Sequence, residues 1–385
     1  MSDVHVYQHY VRLVRAGGLP YRDFAYVYPP ASLPALLLPA YLPWSYPTAF
    51  AVLMGVCGAG CIAAAAVVLR TTGAGAVRRT AALLLVGVSP LVLGSVFDTR
   101  FDLWPTLLVA AATTALLRER SLLAGGLIGL GFAAKLWPGV LLPLAVVHLW
   151  RRCGRGAATR ALAGFVAVAV ACFMPFAILA PDGLEASLRF QLDRPLQVES
   201  LAAALLMAAR HLELTPALVT VSRQTGQSLR AAGTGLAANF STAFEVAAVL
   251  GLWIAFARRR SGDRDALLLA VAATVAALMT FDKVLSPQYL IWLVPLVALV
   301  RGIRGLAAGA LLLVTLGLTQ TWFPWNYFPL AFHQASPWSW YLLVRDLVLV
   351  ALAATLAWPA RLRHLALAEQ EARLGTLGAI PAQLE

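Results

Sequence analysis

The 385-residue sequence predicts an all-α, polytopic integral membrane protein with about eleven transmembrane helices. Three observations carry that expectation. Hydrophobic residues make up 60% of the chain and charged residues only 12%, about half the charged share of a soluble domain and too little to coat a water-exposed body of this size. Apolar runs recur that reach or approach the ~20 residues a helix needs to cross the hydrocarbon layer. Basic residues gather in the short connectors between those runs. The same composition excludes a soluble enzyme. It also excludes a disordered chain, which would be poor in Leu, Val, Phe and Trp.

The formal net charge of +12 is a topology signal. Eighteen Arg lie in the connectors around 70–79, 118–120, 151–160, 258–264, 301–304 and in the tail 361–373, against six acids, which is a local balance of +12. The other connectors hold nearly equal numbers of each sign. Short Arg-rich loops stay on the cytoplasmic side, so this charge does not call for a nucleic-acid partner.

Taking Arg-rich connectors as inside, the elements alternate consistently. Residues 1–46 are a first external loop, without the apolar core of a signal peptide. Its stretch 31–43, interrupted by Pro34 and Pro39, is too short to span and lies at the outer interface. A helix over 47–69 runs in to Arg70, and helices over 80–97 and 103–117 go out and back. The stretch 122–150 crosses twice, breaking at Lys135-Leu136-Trp137-Pro138, because Pro removes a donor and restricts the residue before it. Each arm is short, which points to a thinned or re-entrant region. A helix over 161–180 leads to the largest external segment, 182–236. Helices over 237–257, 265–281, 288–300, 305–321 and 339–360 complete one transmembrane domain, 1–360, with a cytoplasmic tail at 361–385. Many of the Trp and Tyr fall at helix ends, as an aromatic belt would.

Polar residues at membrane depth or at its mouth are costly and tend to serve function. On this topology Asp3, Asp23, Asp98, Arg100, Asp102, Lys135, Asp193, Arg194, Glu199, Asp282, Lys283 and Gln288 gather on the outer side from separate connectors. Of the 30 basic residues only Lys135 and Lys283 are lysines, both at helix ends on that side. A compact ammonium binds phosphate as a point charge where a planar guanidinium does not fit. Snorkelling to the interface is the alternative. His5 and His9 share a helical spacing but lack a third ligand of known spacing, so no metal site is expected. Asp98 and Asp102 have the same spacing with Arg100 between them, which reads as an ion-paired cluster at a helix start or a metal site. Arg345-Asp346 reads as a structural or interfacial pair. Cys57, Cys61, Cys153 and Cys172 read as small packing residues, not as a disulfide scaffold.

Several motifs, in order, are then recognisable. Ser2-Asp3 with Tyr7, Gly18-Leu19-Pro20-Tyr21-Arg22-Asp23-Phe24 and Tyr28-Pro29-Pro30 fall in the first external loop. Gly125-Gly126 precedes Lys135-Leu136-Trp137-Pro138; Arg194-Pro195-Leu196-Gln197-Val198-Glu199-Ser200-Leu201 and Lys283-Val284-Leu285-Ser286-Pro287-Gln288-Tyr289-Leu290 follow. Together these resemble glycosyltransferase family 87, the polytopic C-type glycosyltransferases that include polyprenyl-phosphate-mannose-dependent mannosyltransferases. The resemblance covers nearly everything up to about residue 360. Such enzymes usually carry a transmembrane helix directly before the Ser-Asp pair. Here Met1 stands there, so either the start lies further upstream or the chain is a shorter variant.

The resemblance implies a C-type glycosyltransferase architecture in the cell membrane, with its active site on the extracytoplasmic side. The donor would be a hexose, mannose by resemblance, on a polyprenyl phosphate, and the acceptor a glycolipid or glycan. A phosphate leaving group needs no general acid, so one carboxylate and phosphate-holding cations suffice, giving single displacement with inversion. That contrasts with the two-carboxylate scheme of many glycosidases. No cofactor and no metal are implied. By motif match Asp3 is the candidate base, with Lys135 and Lys283 as phosphate ligands. Asp23, Arg100, Gln288 and Tyr289 are candidates for sugar or acceptor contacts. The competing reading is a transporter or flippase for a lipid-linked sugar, but no internal repeat is visible and the charges lie at one face instead of the midplane.

Overall fold

The computed structural model describes residues 2–358 apart from 216, 224–225, 232 and 260–261. The expected tail, 361–385, and Arg260 lie outside the described residues. In chain order the helices are α1 (Val4–Arg15), α2 (Leu33–Leu37), α3 (Tyr46–Thr71), α4 (Ala76–Leu93), α5 (Val96–Thr99), α6 (Leu103–Leu117), α7 (Ser121–Ala134), α8 (Leu142–Cys153) and α9 (Arg155–Leu179). After α10 (Pro181–Leu192) and α11 (Leu201–His211) comes a hairpin, β1 (Val219–Arg223) and β2 (Gly226–Arg230). The rest is helical again: α12 (Thr234–Arg258), α13 (Arg264–Phe281), α14 (Leu290–Ala298), α15 (Gly302–Trp322), α16 (Tyr327–His333) and α17 (Trp338–Ala357).

Seven helices among the described residues, α3, α4, α9, α12, α13, α15 and α17, are long and apolar enough to cross a membrane. The protein is therefore an all-α, multi-pass membrane protein. α6, α7 and α14 are apolar but shorter. The run expected over 80–97 is broken: α4 ends at Gly94, whose φ of 63° suits glycine, and α5 follows. The expected double crossing breaks at Lys135, whose backbone turns extended before a short turn over Trp137–Leu141 leads into α8.

α13 and α14 form the interior of the bundle, whereas α9 and α12 lie at its edge. On α9 the exposed residues Leu162, Val166, Val170, Met174 and Ile178 recur every fourth position, a stripe suited to lipid. α7 packs lengthwise on α9. Glycines permit it: a Cβ on Gly125 would stand 1.8 Å from the Ala161 carbonyl oxygen, and one on Gly164 would stand 2.4 Å from that of Leu122. This is the close backbone approach that small residues allow between membrane helices.

The segments expected outside are built, not loose. Tyr7, Tyr10, Tyr26, Tyr28 and Phe101 form an aromatic layer beneath the first loop, with Tyr28 and Phe101 centroids 5.0 Å apart and Tyr10 and Tyr26 4.9 Å apart. The segment 182–236 supplies α10, α11 and the antiparallel hairpin. Its two strands pair with each other, Val219 opposite Arg230 and Ser222 opposite Gln227. Residues 196–198 add to its edge, with Val198 N–H donating to the Gln227 carbonyl at 3.0 Å and Leu229 N–H to that of Leu196 at 2.9 Å. On the other side Gln197 N–H donates to the Lys283 carbonyl at 2.9 Å. The motif around Gln197 thus joins the hairpin to the loop that carries Lys283.

Candidate active site

Three chain segments converge at one end of the bundle: the residue before α1, the short connector between α5 and α6, and the break after α7. Arg100 is extended (φ −128°, ψ 140°), so its side chain leaves the direction of α5. Its Nη1 lies 2.9 Å from Asp3 Oδ1. The Arg100 side chain is only 9% exposed, while that of Asp3 is 34% exposed. The carboxylate therefore retains access from outside the pair. Burial raises the Asp3 carboxyl above its usual value, and Arg100 opposes that rise.

Two residues on, Asp102 faces Lys135. The Lys135 amine donates to Asp102 Oδ1 at 2.6 Å, and Trp292 Nε1 donates to the same oxygen at 2.7 Å. Around the ammonium stand the rings of Tyr289, Trp292 and Phe101, with centroids 4.8, 5.1 and 5.3 Å away. Trp292 is sandwiched by Tyr289 at 4.2 Å and Trp137 at 4.7 Å. Arg194 extends the array, donating to the Tyr289 hydroxyl at 3.5 Å and to Gln197 Oε1 at 3.3 Å. Gln197 Nε2 donates to Ser286 Oγ at 2.8 Å. The first-loop, α7-end, Arg194 and Ser286 motifs are thereby parts of one cluster.

Of the residues singled out from sequence, Asp3, Arg100, Lys135 and Tyr289 meet here. Lys283 sits on the rim, its amine donating to the Leu192 carbonyl at 2.7 Å. Gln288 is half-buried in the turn before Tyr289 and makes no side-chain hydrogen bond among the described residues. Asp23 is apart, paired with Arg22 at 2.9 Å and accepting from Leu19 N–H at 2.7 Å. Those hydrogen bonds hold its carboxyl down at about 2 and tie it to the local turn.

The expected Asp98–Arg100–Asp102 cluster does not form. α5 ends at Thr99, so the three side chains fan apart, and Arg100 and Asp102 take partners from other segments. His5 and His9 lie on the exposed face of α1, and no group of three metal-ligating residues occurs among the described residues. Arg345 and Asp346 are interior, 3.0 Å apart, with Arg345 Nη2 donating to the Glu199 carbonyl at 2.8 Å. Cys57 and Cys61 are buried packing residues.

Sequence reasoning singled out Asp102 only as part of an ion-paired or metal cluster with Asp98, and it passed over Trp292. The available signal for Asp102 was a carboxylate beside a helix start in a charge-poor chain. Trp292 gave none, since it lies in a continuous apolar run.

A cavity of about 340 Å³ runs among α3, α4, α6 and α14. Gly55, Gly58, Ala59 and Gly87 open its walls, and Asp98, Leu103 and Thr106 line the part nearest Asp102. Its surface is otherwise apolar. The arrangement offers a carboxylate able to take a proton, two cations able to hold an anion, and an apolar space beside them.

No curated protein matches the chain. The model of Glycosyltransferase family 87 matches residues 26–287, more than half of the sequence. That span contains Arg100, Lys135 and Lys283, while Asp3, Asp23, Gln288 and Tyr289 fall outside it. With its helices long and apolar enough for a membrane and this match, the chain belongs to glycosyltransferase family 87 and is a membrane glycosyltransferase.

Proposed function

We propose that the protein transfers a hexose, mannose, from a polyprenyl-phosphate donor to a glycolipid or glycan acceptor at the extracytoplasmic face of the cell membrane. The observation that carries this reading is the accessible Asp3 carboxylate beside two cations, Arg100 and Lys135, with an apolar cavity nearby that Leu103, next to Asp102, helps to line. Asp3 takes the proton of the acceptor hydroxyl as its oxygen attacks the anomeric carbon. The bond from that carbon to the phosphate oxygen breaks, and its electron pair leaves with the polyprenyl phosphate. Negative charge grows on that phosphate, so nearby fixed cations favour the transition state over the ground state. Lys135 commits one of its three donors to Asp102 and keeps the others for phosphate. Attack opposite the leaving group inverts the anomeric centre. Lys283, Asp23, Gln288 and Tyr289 remain candidate contacts to donor or acceptor, of which Tyr289 is nearest the ammonium. The cavity suits the isoprenoid chain, and the positive inner connectors support the orientation.

The test is transfer from radiolabelled polyprenyl-phosphate-mannose in vesicles reconstituted with the purified protein and an endogenous lipid and glycan extract. Labelled glycolipid or polymer, with inverted configuration, supports the reading. Movement of the donor across the bilayer without any glycosyl product would establish the transporter reading instead.

A further inference from the structure

Lys135 is held by a carboxylate that the sequence motifs leave without a role. Asp102 is itself fixed: it sits at the start of α6, its backbone carbonyl accepts from Thr106 Oγ1 at 2.7 Å, and its side chain is 2% exposed. A single oxygen, Oδ1, accepts from both Lys135 Nζ and Trp292 Nε1. Trp292 cannot swing, because Trp137 and Tyr289 stack on its two sides. Ring faces attract an ammonium but leave it free to slide across them. The carboxylate gives the direction. We infer that Asp102 is a positioning residue, which with Trp292 fixes the Lys135 ammonium against the three rings and keeps it charged for the donor phosphate. This inference rests on the reading of Lys135 as a phosphate ligand.

Electrostatics agree with the geometry. Lys135 lies in the break after α7, outside the membrane-spanning helices. Burial pulls its amine below the ordinary lysine value, and Asp102 is the largest influence in the other direction. Asp3 helps in the same sense, whereas Arg194 adds to the lowering. The Tyr289 hydroxyl faces the same space. Without the Asp102 charge, burial and Arg194 would prevail over the more distant Asp3. The amine would then shed its proton at a lower pH, and a neutral amine cannot balance a phosphate.

The scarcity of lysine makes this measurable in the whole protein. With lysine labelled with carbon-13 at Cε, the purified full chain gives two lysine signals, and Lys283→Arg assigns the one from Lys135. Asp102→Asn, which keeps the shape and the Trp292 hydrogen bond, should lower the Lys135 titration midpoint by about 1 pH unit or more. Asp102→Glu should retain the midpoint but shift the resonance, because the ammonium moves relative to the rings. In transfer assays with polyprenyl-phosphate-mannose, Asp102→Asn should bring the alkaline fall-off to lower pH and raise the donor KM about tenfold, while Asp102→Glu loses kcat with the alkaline limb unmoved. A Lys135 midpoint unchanged in Asp102→Asn overturns the inference. An absence of transfer by the wild type, with the midpoint shifted as expected, would instead count against the glycosyl-transfer reading.

Discussion

Asp3 Oδ1 and Arg100 Nη1 are 2.9 Å apart, which couples a partly open carboxylate to a nearly buried guanidinium. Arg100 thereby orients the proposed base while leaving an oxygen for the acceptor. Asp3→Asn preserves that shape but cannot accept a proton. Transfer should fall by roughly 10²–10⁴-fold, with donor binding little changed. Parallel measurements of transfer and of polyprenyl phosphate binding check this.

The pair also sets a pH dependence. The base must be ionised, so kcat/KM falls as the medium is acidified through the Asp3 pKa, which burial has raised. Arg100 works against that rise. Arg100→Gln should therefore move the acid limb to higher pH, by roughly 1 unit, in addition to lowering the maximum rate. A pH–rate profile of both proteins gives the answer.

The two lysines should separate. Lys135 belongs to the cluster, and its loss removes a cation from a dry site. Lys135→Ala should cost about 3 kcal/mol of transition-state stabilisation, expressed in kcat and donor KM together. Lys283 is already occupied with the Leu192 carbonyl on the rim. Lys283→Ala should cost less than about 1.4 kcal/mol, a factor below ten. Steady-state kinetics over a range of donor concentrations distinguishes them.

Orientation can be read by thiol labelling. Arg22 and Arg189 keep 56% and 72% of their side chains exposed and belong to segments assigned outside. Val77 and Arg301, 86% and 63% exposed, belong to connectors assigned inside. In a background lacking the native cysteines, an impermeant maleimide added to intact cells should label cysteine at 22 and 189 and spare 77 and 301. Native Cys153, exposed on an Arg-rich connector, should likewise resist labelling in the parent protein.

Gly125 offers a test of packing. Its absent Cβ leaves room for the Ala161 carbonyl, whereas a Cβ on Gly126 would meet Val168 Cγ2 at an ordinary 3.4 Å. Gly125→Val should destabilise the α7–α9 pair by about 3 kcal/mol. Gly126→Ala should be nearly neutral. Thermal unfolding in detergent, compared between the two, reports the difference.

How much of this was legible beforehand follows the range of the interactions concerned. Long helices such as 237–257 and 265–281 announce themselves because hydrophobicity is a local property, and they recur as α12 and α13 with ends moved by a few residues. The break at Lys135-Leu136-Trp137-Pro138 was equally visible, since proline acts on its immediate neighbours. The partners of Arg100 and Asp102 were not. Spacing suggested that these residues pair with each other or with Asp98, but the choice was made by Asp3 and Lys135, which only the folded bundle brings near. The role of Trp292 was hidden for the same reason, as its partner Asp102 lies in a remote segment.

α6 and α7, of 15 and 14 residues, are only about 22 and 21 Å long at 1.5 Å per residue. The hydrocarbon layer is about 30 Å thick. Both are largely buried in the bundle, so wherever their ends meet lipid the mismatch carries an elastic cost on every ångström. Lipids with shorter tails relieve it and those with longer tails add to it. On the proposed reading, the height at which a donor phosphate would meet Lys135 is then tied to acyl-chain length, so membrane composition would tune transfer with no ligand of its own.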